Sequence, residues 1–227
     1  MTATPDSIKE CFSSIAPSYD RMNSILSLAM HKKWNSELTA SVQGADHLLD
    51  VCAGTGEIAF QFLNENPKSD AILLDFCPEM LELADEKGKD LQGRFTTQVG
   101  DAQKIPYGDA AFDAVTIAYG IRNVANPLLC FREVYRVLGR GGRLSVLELT
   151  RPNGLLRMGH ALYLSFLPLI GKLVANKGTP YSYLARSIQG FAAPELLMEQ
   201  MSEIGFVYIE KKKLLGGVAT LITATKC

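Results

Sequence analysis

Neither sign of charge is in excess in this chain: 23 lysines and arginines stand against 24 aspartates and glutamates, a formal net charge of -1 over 227 residues. That balance excludes the broad basic field on which nucleic-acid binding rests, and no like-charge tail is present. The nearest approach to a basic run, Lys211-Lys212-Lys213, reads as a solvated strand end rather than a phosphate patch. Cysteine offers no framework either. Cys11, Cys52, Cys77, Cys130 and Cys227 are odd in number, widely spaced and without a C-x-x-C pair, so neither a metal site nor a disulfide scaffold is expected. Cys52 and Cys77 fall beside predicted strand ends, where cysteine packs as a small hydrophobe. An export signal is missing too: Asp6, Lys9 and Glu10 interrupt the first residues, no apolar run leads to a small-residue cleavage site, and a reduced, cytoplasmic setting is expected. The stretch Met158–Val174 contains His160, Pro168 and Gly171 between Arg157 and Lys172 and is too short to cross a bilayer. An interfacial or substrate-covering helix fits it. Repeats, low-complexity tracts and long linkers are absent.

What is present is a hydrophobic content of 47%, enough for one substantial core, so 1–227 is read as a single domain. Runs rich in Val, Ile and Leu alternate with longer amphipathic segments, the pattern of a parallel sheet covered on both faces. Strands are expected near 46–52, 70–75, 94–99, 112–118, 142–149, 206–212 and 218–225. Helices are expected near 57–66, 78–89 and 127–138, with Pro78 and Pro127 at their starts. The result is an α/β fold, a Rossmann-like doubly wound sheet of seven strands. Its last two, separated by Leu214–Gly217, form an antiparallel hairpin. Two segments stand outside the alternation: a helical stretch at 7–42 and an apolar helical insertion at 150–192 after the fifth strand. Ligands of open α/β sheets bind beyond the carboxyl ends of the strands, so both are candidate lids.

The most informative motif is Asp50-Val51-Cys52-Ala53-Gly54-Thr55-Gly56, which follows the apolar run His47–Cys52. A buried strand running into a glycine-bearing turn and then a helix hands main-chain N–H groups to a cofactor. Gly54-x-Gly56-x-x-Ala59 with Asp75 further on satisfies the dinucleotide fingerprint, yet the same elements serve S-adenosylmethionine equally well. At the end of the third strand, Gly100-Asp101-Ala102 puts an acid and a small residue where an adenine would lie, and Phe112-Asp113 opens the fourth. This set, with the terminal hairpin, resembles the class I S-adenosylmethionine-dependent methyltransferases.

The resemblance narrows in two places. Tyr19-Asp20-Arg21-Met22-Asn23-Ser24-Ile25-Leu26-Ser27, continuing to His31 and Trp34, is similar to the Y-D-x-M-N-x-x-L-S-x-x-x-H-x-x-W signature of the ubiquinone/menaquinone-biosynthesis C-methyltransferases. Tyr119-Gly120-Ile121-Arg122-Asn123-Val124 resembles that family's F-G-[LI]-R-N-V segment. Leu173-Val174-Ala175-Asn176, Tyr181-x-Tyr183-Leu184 and Ser187-Ile188 resemble its insertion. The likeness implies S-adenosylmethionine held by Asp50, Ala53, Gly54, Thr55, Gly56, Asp75, Met80, Asp101 and Ala102. It implies a polyprenylated quinol as acceptor, a demethylated menaquinol with a ubiquinone-pathway benzoquinol as a further or alternative one. Peripheral contact with a membrane surface, and a homodimer or quinone-pathway complex, are consistent with such a substrate. Three departures stand out. Arg136-Val137-Leu138-Gly139-Arg140-Gly141-Gly142 replaces R-V-L-K-P-G-G, Ala118 stands where a cofactor-contacting serine is frequent, and Ala53 replaces a frequent glycine and needs a negative φ.

Methylating a ring carbon requires the carbon held in line with the sulfonium methyl, and positioning of that kind supplies roughly 7–11 kcal/mol of a barrier. Ionising the quinol hydroxyl drives electron density onto the carbon beside it, and Arg122 is the expected cation for the developing oxyanion. Asn123 would orient the same oxygen, and Tyr19 would join them or close the cofactor cleft. A water held by Arg122, Tyr19 and His31 all stand as proton acceptors. A nicotinamide-dependent reductase and a non-catalytic quinone-pathway subunit are the rival readings, the first weakened by the lack of a Tyr-x-x-x-Lys pair near the expected site.

Overall fold

The structure is a computed structural model that describes residues 5–175 and 179–227; Asn176, part of one expected insertion motif, lies outside them. Seven strands form one sheet: β1 (His47–Val51), β2 (Asp70–Asp75), β3 (Phe95–Val99), β4 (Phe112–Ala118), β5 (Leu138–Leu149), β6 (Phe206–Leu214) and β7 (Ala219–Lys226). Their order is β3-β2-β1-β4-β5-β7-β6. The first five are parallel, while β7 runs antiparallel between β5 and β6, as expected of the terminal hairpin. The order reverses between β1 and β4, and the carboxyl ends of those two strands therefore border the crevice in which such sheets take ligands.

Both faces are covered. Ala59, Phe62 and Leu63 of α4 (Glu57–Glu65) join Leu48, Leu73 and the Leu81 and Ala84 side chains of α5 (Pro78–Lys87), while Ile58 packs with Trp34, Leu38 and Leu147. On the opposite face Phe131, Val134 and Val137 of α6 (Pro127–Val137) pack with Ile117, Val146 and Met201. Asn126 caps α6 by accepting from the Leu129 N–H at 3.3 Å, and Pro127 takes the first helical position, where its missing N–H does no harm.

One boundary and one helix differ most from expectation. The fifth strand starts at Leu138 rather than 142, because Phe112 already pairs with Leu138 before the register breaks and resumes at Ala114 and Arg143. Gly139–Gly142 is thus an irregularity within the strand rather than a turn before it. A Cβ on Gly142 would lie 2.8 Å from the Gly139 carbonyl oxygen, which is why a glycine stands there. A helix absent from the expectations, Pro194–Ile204, precedes β6, with proline at its first turn and Gly205 at φ +113° beyond its last.

The two outlying segments are helical. α1 (Pro5–Ile15), α2 (Tyr19–Leu26) and α3 (Met30–Ser41) precede β1, and α7 (Leu155–Ala175) and α8 (Thr179–Gly190) follow β5. α7 and α8 meet at Gly171, where a Cβ would fall 1.9 Å from a ring carbon of Tyr181. The Tyr163 hydroxyl of α7 donates to the Leu26 carbonyl at 2.6 Å, tying the insertion to the end of α2. No described helix is long and apolar enough to cross a membrane.

Candidate active site

The ends of β1 and β4 are bent by two left-handed residues that are not glycine, Cys52 at φ +59° and Tyr119 at φ +56°. Such conformations cost of order 1–3 kcal/mol and persist where the surrounding structure fixes them. They meet at Gly120, where a Cβ would sit 2.3 Å from that of Cys52. The two loop glycines have different reasons. Gly54, at φ +54°, faces open space and leaves its main chain approachable. Gly56, at φ +82°, would drive a Cβ to 2.6 Å from the Phe60 ring, so it serves packing as well as the turn. Ala53 is not among the positive-φ residues, as its expected role required.

The acids around the loop are buried and differently satisfied. Asp75 accepts from the Gly54 N–H and the Cys77 N–H, each at 2.9 Å, and burial raises its pKa against the pull of those donors. Asp50 takes the Thr116 hydroxyl at 2.7 Å on one oxygen, while its Oδ2 is buried with no partner. Burial lifts Asp50 to about 7, with Thr116 and the Ala59 N–H opposing. The Thr55 hydroxyl donates to Asp20 of α2 at 2.6 Å, and Lys87 of α5 pairs with the other Asp20 oxygen. The N-terminal helices are thereby fastened to the glycine loop.

At the end of β4, Arg122 turns inward. Its side chain is 4% exposed and its Nη1 pairs with Glu148 of β5, itself 3% exposed, and with the Tyr119 carbonyl. Glu148 also accepts from the N–H groups of Leu149 at 2.7 Å and Arg122 at 3.3 Å. Arg122 Nε remains buried without a partner. Asn123 accepts from the Tyr183 hydroxyl of α8 at 2.8 Å. Burial raises Tyr19 as well, partly offset by Arg122, so its phenol stays neutral.

A third cluster lies where α3 meets the start of α4. The Ser27 hydroxyl donates to the Asn23 carbonyl at 2.6 Å, so the 2.7 Å contact between Ser27 Oγ and His31 Nδ1 requires the proton on Nδ1. His31 Nε2 is therefore a bare acceptor. It is buried, unpartnered and 3.7 Å from Glu57 Oε2. Burial first, then Lys32, lowers its pKa and keeps the imidazole neutral. Asn35 donates to Glu57 at 3.5 Å and accepts from the Tyr119 hydroxyl at 3.0 Å, joining this cluster to the end of β4.

One cavity gathers much of this. Of the expected residues, Tyr19, Asp50, Ala53, Gly54, Thr55 and Arg122 line it, and His31 and Glu57 do too. Met22, Leu26, Leu164, Leu167 and Leu184 supply an apolar wall from α2, α7 and α8. Asn123, Gly56 and Asp75 do not line it; Asn123 is bonded to Tyr183 and Asp75 to Gly54, which do. Asp101 is exposed and caps its own turn by accepting from the Gln103 N–H at 2.9 Å, with Ala102 buried beside it. Met80 is 2% exposed and packs against Ile15, Ala16 and Cys77, within the contact between α5 and the N-terminal helices. Glu148 was not anticipated. Its signal was an acid inside the apolar run Leu144–Leu149, a position that demands a buried partner.

The ubiE/COQ5 methyltransferase family matches residues 1–226. A demethylmenaquinone methyltransferase of Protochlamydia amoebophila is 44% identical over 98% of this chain and 96% of its own length. Among solved structures, a SAM-dependent methyltransferase from Thermotoga maritima superposes with a TM-score of 0.67 at 18% identity, covering 96% of this chain and 99% of that one. The phosphoethanolamine N-methyltransferase 2 of Haemonchus contortus, in complex with S-adenosyl-L-methionine, does so at 0.64 and 17%, covering 86% of this chain and 52% of that one.

Proposed function

The chain belongs to the ubiE/COQ5 methyltransferase family, and from that membership we propose that it methylates a ring carbon of a demethylated menaquinol. It is an S-adenosylmethionine-dependent methyltransferase, and the residues around the loop fit that cofactor. Gly54 leaves the main chain open, Asp50 Oδ2 is an unpartnered acceptor and Asp75 stands at the end of β2. When bound, S-adenosylmethionine supplies an electrophilic sulfonium methyl. Asp75 would take the ribose, Asp101 and Ala102 the adenine edge, and Thr55 and the loop the methionine end.

The quinol ring is assigned to Arg122, Asn123 and Tyr19. The unpartnered Nε–H of the Arg122 guanidinium is a donor for the oxygen that gains charge as the hydroxyl ionises. Asn123, held by Tyr183, orients that oxygen, and the neutral Tyr19 phenol adds a donor. As the carbon–methyl bond forms and the sulfur–methyl bond breaks, the ring carbon gives up its proton and one proton leaves overall. The isoprenoid tail lies along α7 toward a membrane surface, with α1–α3 and α7–α8 as lids. The observation that carries this reading is the combination of an apolar wall with one buried cation whose Nε–H has no partner. Incubation with methyl-labelled S-adenosylmethionine and reduced demethylmenaquinone is expected to put label in the quinone fraction. No label there, with cofactor affinity intact, overturns the acceptor.

A further inference from the structure

The cavity wall contains two neighbouring acceptors, of which His31 Nε2 has no donor and Glu57 Oε2 has only the long one from Asn35 at 3.5 Å. His31 Nε2 carries a lone pair because Ser27 fixes the proton on Nδ1, and Glu57 Oε2, 3.7 Å away, is an acceptor too, so neither can satisfy the other. A buried acceptor left alone is costly, of the kind native proteins reserve for a ligand or a water. The pair is a neutral nitrogen beside a carboxylate, so what it attracts is a cation rather than a neutral hydroxyl. Its separation lets one nitrogen stand within charge-assisted hydrogen-bond reach of both, about 2.7–2.9 Å from each. Asp50 Oδ2 is a further unpartnered acceptor in the same wall, and an ammonium has three N–H donors.

Location chooses between the cations and donors on offer. Glu57 is the residue after the Asp50–Gly56 loop and the first of α4, whereas the donor group of the cavity, Arg122, follows β4. We propose that His31 Nε2 and Glu57 together receive the α-ammonium of the methionine end of S-adenosylmethionine. The inference rests on the cofactor alone and is independent of which quinol, if any, accepts the methyl. It also separates two positions that the sequence placed together: His31 belongs to the donor's side of the cavity, and proton acceptance at the ring falls to other groups.

The test is binding without an acceptor. Isothermal titration compares S-adenosylhomocysteine, its decarboxylated analogue, which keeps the amine, and 5′-methylthioadenosine, which has neither amine nor carboxylate. Replacing His31 with Phe keeps a flat ring but removes the acceptor. It is expected to weaken both amine-bearing ligands by roughly 10- to 150-fold, the range of a hydrogen bond to a charged group, and to leave methylthioadenosine unchanged. His31→Gln, which retains an acceptor oxygen, should recover most of the loss. Glu57→Gln, at a partly solvated side chain that burial of the core does not depend on, should weaken the same two ligands and spare the third; it carries the test should His31→Phe fail to fold. An equal loss for all three ligands makes His31 a packing residue and overturns the proposal. So does undiminished affinity for S-adenosylhomocysteine, even where turnover falls, since His31 would then serve the acceptor's side.

Discussion

Arg122 and Glu148 form a pair in which neither charge is free to be removed alone. Truncating one member of a buried pair leaves the other uncompensated, at about 3–5 kcal/mol, whereas replacing both with apolar residues is often neutral. Arg122→Met is therefore expected to lower stability by that amount and to abolish turnover, and Glu148→Leu alone to destabilise comparably. The double variant should recover the stability, read by urea unfolding, but not the turnover, read with labelled cofactor. A double variant as unstable as either single one sinks the ion-pair account, and one that regains turnover sinks the role of Arg122. At this scale the sequence was legible where chemistry is carried by residue type at a motif position: Arg122, Asn123, Asp50 and Asp75 stand at strand ends as expected. It was silent on partnerships between distant positions. Glu148 is 26 residues from Arg122, and the Thr55–Asp20 and His31–Glu57 contacts join segments that only the fold brings together.

Among the elements, α7 has two faces with different tasks. Leu164 and Leu167 are buried toward the cavity, while Met158 (77% exposed), Leu162, Phe166 and Leu169 form an outward apolar stripe at helical spacing. Leu28, two residues beyond the Leu26 carbonyl that Tyr163 of α7 holds, is 86% exposed. From Glu148 to Glu195 the sequence has no acid but carries Arg151, Arg157, Lys172, Lys177 and Arg186. An apolar stripe with cations around it predicts contact in the plane of an anionic membrane surface. The wild-type protein is expected to sediment with vesicles containing anionic lipid, and Leu162→Glu with Phe166→Glu to stay in the supernatant while keeping activity on a short-tailed quinol in detergent. Unchanged sedimentation of that variant argues instead for another surface, and dimer loss in its vesicle-free sedimentation velocity marks the stripe as a self-contact. The apolar insertion was evident from composition, whereas Pro168 and Gly171 do not interrupt α7, which runs unbroken from Leu155 to Ala175. The helix Pro194–Ile204 was legible in Leu197, Met198, Met201 and Ile204, which fall at helical spacing; the early start of β5 was not, because it runs through a glycine-rich stretch that resembles a turn.

For the whole molecule, the cost of assembling the site shows in how stability follows pH. Asp50 titrates near 3.8 when exposed and at about 7 in the fold, so between those values the native state holds a proton that the unfolded chain has released. That contribution is intact at low pH and is lost as pH rises toward and through about 7, an effect of up to about 4 kcal/mol from one group. Asp75 adds to the rise, and Thr116 and the Ala59 N–H limit it. Asp50→Asn is accordingly expected to flatten the fall in stability between pH 5 and 8. A cationic ligand reverses the logic, since an ammonium beside Asp50 favours the ionised carboxylate and binding must expel its proton. Cofactor affinity should therefore weaken as pH drops below 7, up to tenfold per unit, and titrations in buffers of different ionisation enthalpy should report release of close to one proton. At a hundredfold excess over its dissociation constant the ligand stabilises by about 2.7 kcal/mol, or roughly 5–10 °C in a chain of this size. At one fixed ligand concentration the gain should be larger at pH 8 than at pH 5.5 in the wild type and the same at both in Asp50→Asn; a wild-type gain that does not depend on pH would show that Asp50 stays ionised in the empty cavity.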